Sequence, residues 1–187
     1  MTQARAYERL MSRFIQTIRI SRSFAGLRPT VGVAQAGNIR MSCILGRSGI
    51  VVRKREGDGG TPFGVFAITG GYFRPDREKR LLAQVPLRQT RSNEGWCDDP
   101  KSFRYNAPIN LPTRLRCEKL TLADNVYDIV LTTDHNQRPR RLGAGSAIFV
   151  HFQRPDGRGT EGCIAFAPKD LRRLLPRLGK RVRLIIR

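Results

Sequence analysis

A chain of 187 residues that is 40% hydrophobic can bury one core without disulfide or metal staples, and none of its segments approaches the roughly 18–20 apolar residues of a membrane-spanning helix. Thirty-five Lys and Arg against 15 Asp and Glu leave a net charge of +20, an excess that favours polyanionic partners. The basic residues fall in short groups at 53–56, 138–141 and 180–187, with no zinc-finger, recognition-helix or aromatic RNA-binding signature, so they read as a solvated basic surface and not as a specific nucleic-acid interface.

In chain order, residues 1–14 read as an N-terminal extension. This stretch is charged throughout and lacks the apolar run of about 7–15 residues that marks a secretory signal, so no signal peptide is visible. "FIQTIRI" (14–20) suits a strand. "TVGVAQ" (30–35) and "IRMSCILG" (39–46) form a predicted hairpin turning at Ala36–Gly37–Asn38, residues suited to a tight turn. "GIVVRK" and "GVFAITGGYF" are predicted strands flanking the glycine-rich "EGDGGTPFG". Residues 85–118, rich in Pro, Asn, Asp and Arg and without clear periodicity, read as a long ordered loop. "VYDIVLTT" (126–133) and "SAIFVHF" (146–152) have the length and β-branched or aromatic content of buried strands. A helix is predicted over 168–178, with Pro168 at its first position, Asp170 in its first turn and Leu171, Leu174, Leu175 and Leu178 on one face. Pro176 limits its last turn, and "RVRLIIR" (181–187) reads as a closing half-exposed strand. The expectation is one mainly β domain over 15–187, with a single short C-terminal helix.

Four scattered cysteines, Cys43, Cys97, Cys117 and Cys163, contain no CxxC pair, which argues against structural zinc. Cys163 is the one whose neighbours suggest chemistry. It follows Gly162 and lies just ahead of the predicted helix, whose N-terminal amides would lower a thiol pKa. His151 stands twelve residues earlier at a strand end, close enough to complete a thiol–imidazole pair across the intervening loop. The competing reading is a small apolar residue closing a buried turn, since a lone cysteine is among the most often buried residue types. His135, in "TTDHNQRP", reads as a turn residue, and Cys43, Cys97 and Cys117 as structural thiols.

"SAIFVHF" followed by "GTEGCIAF" and "KDLRRLL" resembles the catalytic segment of the L,D-transpeptidases, the YkuD/ErfK family, in which a strand histidine precedes a Ser/Thr-x-Gly-Cys turn and a short helix. "LGRSGIVVRKREGDGGTPFGVFAI" (45–68) is similar to that family's strand–loop–strand with its Thr-Pro-x-Gly turn. "YFRPDR", "GWCDDP" and "YNAPINLP" resemble a proteobacterial branch in which the catalytic domain stands alone. The resemblance runs from about residue 15 to the end of the chain. It implies a β-sandwich or barrel with long active-site loops and acyl transfer on peptidoglycan stem peptides, both donor and acceptor. Cys163 would be the nucleophile and His151 its base, with Thr160, Glu161 and Gly162 at the oxyanion and substrate side. Arg154, Tyr105 and Trp96 are candidates for the groove lining, set against a core position for Trp96, a structural place for Tyr105 and plain exposure for Arg154. No metal or organic cofactor is implied, a monomer is favoured, and the substrate implies a periplasmic location. A cross-link from first to third stem position stands beside the usual third-to-third type, and hydrolysis of the same thioester or wall binding without catalysis are the rival outcomes. Glu161 replaces the family's turn histidine, Ala165-Phe166 its Arg-Met, and Phe152 its glycine after the strand histidine; these departures bear on substrate choice.

Overall fold

Alternation of apolar and polar residues dominates the chain, and the fold that results is a closed sheet. The computed structural model describes residues 14–23 and 29–187. The hairpin expected from Gly37 and Asn38 is present as β2 (Val31–Ala36) and β3 (Ile39–Ile44), which pair in register from Val31↔Ile44 to Ala36↔Ile39. β1 (Ile15–Arg22) lies antiparallel to β2 and parallel to β14 (Leu178–Ile186), so the two ends of the described chain meet side by side. β14 in turn pairs with β6 (Gly64–Phe73), and β6 with β11 (Ile129–Thr133). From β11 the sheet continues through β12 (Phe149–Phe152) and β13 (Ile164–Phe166) back to β3, closing a ring of eight strands, with β7 (Leu87–Gln89) alongside the far half of β6. Closure removes the unpaired edges that an open sheet of this length would expose.

Inward residues of the ring, among them Ile18, Ile20, Leu131, Val150, Ile164, Leu184 and Ile186, form one core. Helix α1 (Pro168–Leu174) adds Leu171 and Leu174 to it, each worth about 2 kcal/mol by burial. The predicted helix is shorter than its leucine spacing suggested. Pro176 converts its end to a 3-10 turn (Leu175–Arg177), and Leu178 already belongs to β14. Arg172 of α1 stacks 4.6 Å above the Phe152 ring and pairs with Glu78 at 2.6 Å, fastening the helix to both sides of its seat.

Residues 85–118 correct the sequence reading. They are not a loop but carry β7, β8 (Glu94–Cys97), β9 (Ala107–Asn110) and β10 (Cys117–Lys119), the last three forming a separate sheet in the order β10-β8-β9. Three- and four-residue strands are too short to show periodicity. The strand expected over "GIVVRK" is shorter than its apolar run suggested: only Ile50–Val51 pair, as β4, parallel to β5 (Thr61–Pro62). Of the expected extension, residues 1–13 lie outside the described residues.

Candidate active site

Parallel pairing of β12 with β13 places His151 opposite Ala165 and brings Cys163, one residue before β13, beside Phe149. The connection between the strands is shaped around Thr160. Its backbone bridges Gly46, its hydroxyl donates to the Cys163 carbonyl at 2.6 Å, and the Gly162 N–H donates to that hydroxyl at 3.1 Å. Gly162 adopts φ +133°, and a Cβ there would stand 2.7 Å from the Gly60 carbonyl oxygen. Only glycine lets the turn press so closely on the loop ahead of Thr61-Pro62-Phe63-Gly64.

The Cys163 thiol donates to the Ala147 carbonyl at 3.0 Å and accepts the Phe149 N–H at 3.3 Å. Burial pushes its pKa well above the ordinary thiol value. The expected activation by a helix terminus is therefore absent: β13 separates Cys163 from α1, and α1 has only seven residues. His151 is also buried, and loss of solvation pulls its pKa down to about 4. Its Nδ1 lies 2.8 Å from the Phe152 carbonyl oxygen, an acceptor that requires the proton on Nδ1 and leaves Nε2 as the basic nitrogen. Tyr127 packs edge-on to the imidazole, centroids 5.3 Å apart.

Two cavities meet at Cys163. One, of about 520 Å³, is lined by Arg47, Glu118, Tyr127, His151, Arg154 and Thr160 among others. The other, of about 260 Å³, is lined by Lys54, Glu56, Asp98, Arg116, Ser146 and Ala147. Cys163, Glu118 and Glu161 line both. The expected site residues Cys163, His151, Thr160, Glu161 and Arg154 are thus together on the larger cavity. Glu161 forms an exposed ion pair with Arg47 at 3.0 Å, and Arg154 pairs with Asp124 at 2.7 Å.

Trp96 and Tyr105 line neither cavity, because both rings are buried. They act behind the site. The Trp96 indole N–H donates to Asn106 Oδ1 at 3.0 Å, and the same oxygen accepts the Ala147 N–H at 3.1 Å. Ala147, held at φ +45°, then offers its carbonyl to the thiol. The Tyr105 hydroxyl donates to Glu56, which also accepts the Ser146 hydroxyl at 2.8 Å. His135 sits apart from both cavities, edge-on to Phe66, with Nε2 3.2 Å from the Ala144 carbonyl oxygen.

Sequence reasoning missed Glu118 and Tyr127. The Tyr127 hydroxyl donates to Glu118 at 2.8 Å, and burial raises the pKa of each. Neither lies in a recognisable motif; their one signal was a polar residue set among short apolar runs. Among the described residues no group of three or more His, Cys, Asp or Glu has a metal-holding arrangement, and no helix is long and apolar enough to cross a membrane.

The family model of the L,D-transpeptidase catalytic domain (YkuD) matches residues 31–186. No curated protein and no solved structure matches the chain.

Proposed function

Since the chain belongs to the L,D-transpeptidase catalytic-domain family, we propose that it is a cysteine acyltransferase that cross-links peptidoglycan stem peptides. The observation that carries this reading is the meeting of two cavities at one thiol. A transferase that works through a covalent intermediate needs room for an acyl donor and, afterwards, for an acceptor amine. A hydrolase needs room only for the donor and water.

In this mechanism the Cys163 sulfur attacks a stem-peptide carbonyl while His151 Nε2 takes the thiol proton. The tetrahedral intermediate collapses with cleavage of the peptide C–N bond, the proton passes from His151 to the departing amine, and a thioester is left on Cys163. An amine of a second stem attacks the thioester, giving up a proton to Nε2; the C–S bond breaks, the Nε2 proton returns to the Cys163 sulfur, and the new amide leaves. The buried, neutral state of both side chains supports a coupled proton transfer over a standing thiolate–imidazolium pair. Oxyanion donors come from the backbone around Gly162 and Cys163. The Gly162 N–H is held by Thr160 at rest, so it serves only once that bond is released.

Arg154 and Arg47 suit the stem carboxylates, and Glu161, standing between the cavities, meets the part of the substrate that spans them. A catalytic domain over 15–187 is part of this reading, and the pairing of β1 within the ring supports it. The enzyme works in the periplasm, where this polymer lies.

Incubating the protein with purified muropeptides and following the products by mass spectrometry tests the reading. New dimers are expected, and fragmentation of those dimers assigns first-to-third or third-to-third linkage. Shortened stems without dimers would make it a carboxypeptidase or endopeptidase, and unchanged muropeptides a wall-binding module.

A further inference from the structure

The small sheet that sequence reading took for a loop places two cysteines opposite each other. Cys97 of β8 and Cys117 of β10 are direct partners in an antiparallel pairing, with Glu118↔Trp96 and Lys119↔Gly95 following in register. The phase of the ladder is set by its flanking bonds. The Asp98 N–H donates to the Arg116 carbonyl at 3.2 Å, and the Leu120 N–H to the Glu94 carbonyl at 3.0 Å. Pairs 98↔116 and 94↔120 are therefore hydrogen-bonded pairs, and alternation makes 97↔117 a non-hydrogen-bonded pair. At such positions Cα atoms lie about 4.5 Å apart and the two side chains lean together on one face. That separation is inside the range of about 4.4–6.8 Å that a disulfide spans.

We propose that Cys97 and Cys117 form a disulfide when the protein is exposed to a disulfide oxidant. Both are thiols in the structure, Cys97 buried and Cys117 half-buried. The route starts at the more accessible sulfur. Cys117 loses its proton and attacks one sulfur of the oxidant, forming a mixed disulfide and releasing one thiol. Cys97 loses its proton and attacks the Cys117 sulfur, closing the bridge and releasing the second thiol. Two electrons pass from the pair to the oxidant. Burial and the nearby Asp98 raise the Cys117 pKa, so the uncatalysed exchange is slow near neutrality and quickens above it.

The bridge has a place in the architecture of the site. β10 carries Glu118, which lines both cavities beside Cys163, and β8 carries Trp96, which anchors Asn106 behind the thiol. Joining 97 to 117 fixes the wall that presents Glu118 to the strand that supports the thiol's seat. The other two cysteines are differently placed. Cys43 packs in the ring core, and Cys163 is bonded to Ala147 and Phe149. The inference is independent of the acyl-transfer reading, which bears only on whether the working compartment is oxidising.

The test is to hold the full-length protein with glutathione disulfide at about pH 8, then unfold it, alkylate it without reduction and digest it with trypsin. Lys101 and Arg116 lie between the two cysteines, so cleavage puts Cys97 in 92–101 and Cys117 in 117–119. The expected product is these two peptides joined, at a mass two hydrogens below their sum, with Cys43 and Cys163 recovered alkylated. Cys97→Ser should abolish the joined species while Cys43→Ser leaves it. The oxidised protein should melt on the order of 5–10 °C above the reduced one, and Cys97→Ser should lose that difference. Recovery of all four cysteines as alkylated thiols, or a bridge that includes Cys163 or Cys43 instead, overturns the proposal. Either result leaves the muropeptide assay free to succeed or fail by itself.

Discussion

Arginines on opposite sides of the ring keep different company. Around the two cavities Arg47, Arg116, Arg154 and Arg158 each pair with a carboxylate at 2.7–3.5 Å. On the outward face of β1, β3 and β14, Arg19, Arg40 and Arg183 are exposed, as is Arg187 just past β14, and among the described residues no ion pair includes them. The cause is in the sequence: no Asp or Glu occurs from residue 14 to 54 or from 171 to 187, the segments that supply β1–β4 and β14. Strand pairing aligns this face into a row, Arg40–Gln35–Arg19–Ile185–Val65, running from β3 to β6, with β1 and β14 across the ring from β12 and β13. Part of the net charge of the chain therefore sits on the barrel's back, away from its mouth. Charge at the mouth is balanced and positional, whereas charge at the back is unopposed and acts through its field.

The contrast is sharpest where chemistry is concentrated. Cys163→Ala should lower muropeptide turnover by at least about a thousandfold, read as loss of product peaks, because no other residue supplies the thioester. His151→Gln should slow turnover and thiol alkylation by about a hundredfold or more. It also carries a pH signature. The imidazole titrates near 6.5 in the unfolded chain and at about 4 in the fold. Between those values the unfolded state binds the extra proton, so stability is complete above about pH 6.5 and falls on acidification, by about 3 kcal/mol in all. Urea unfolding at pH 7 and pH 4 should show that loss, and the Gln variant should reduce it.

Gly162→Ala should cost about 3 kcal/mol in the same unfolding assay, from the positive φ and the 2.7 Å approach to the Gly60 carbonyl. Arg154→Ala, at an exposed ion pair, should change stability by less than about 1 kcal/mol while raising KM for carboxylate-bearing stems severalfold. At the back, the Arg19→Ala, Arg40→Ala, Arg183→Ala triple variant should leave turnover of soluble muropeptides within about twofold and each site within ~0.5 kcal/mol of stability. It should nonetheless leave a cation exchanger at lower salt. A large loss of turnover from this triple variant would erase the distinction between mouth and back.

Much of this was legible in the sequence. The hairpin at Gly37–Asn38 and the long strand β6 were readable from turn residues and alternation, and the motif led to Cys163 and His151, which the fold brings to one cavity. What stayed hidden depends on contacts made after folding. The short strands β8–β10 carry too few residues for a period, and β13 is a three-residue strand directly after the motif turn. Tyr105 reads as groove or structure because polar loop sequence surrounds it, and Trp96 as core more than groove; their partners Glu56 and Asn106 draw both inward. The thiol's environment was the largest surprise. A sequence shows that a helix follows a cysteine, but not that a strand intervenes and burial dominates.

The seat of that thiol has a consequence for timing. Its bond to the Ala147 carbonyl, on a backbone pinned at positive φ by Asn106, holds the sulfur in a waiting position. In the proposed mechanism the hydrogen bond from the thiol to Ala147 must break before His151 can take the proton, an event that precedes any bond to substrate. On that mechanism the resting thiol is latched, and a donor filling the larger cavity must wait for the latch or lift it.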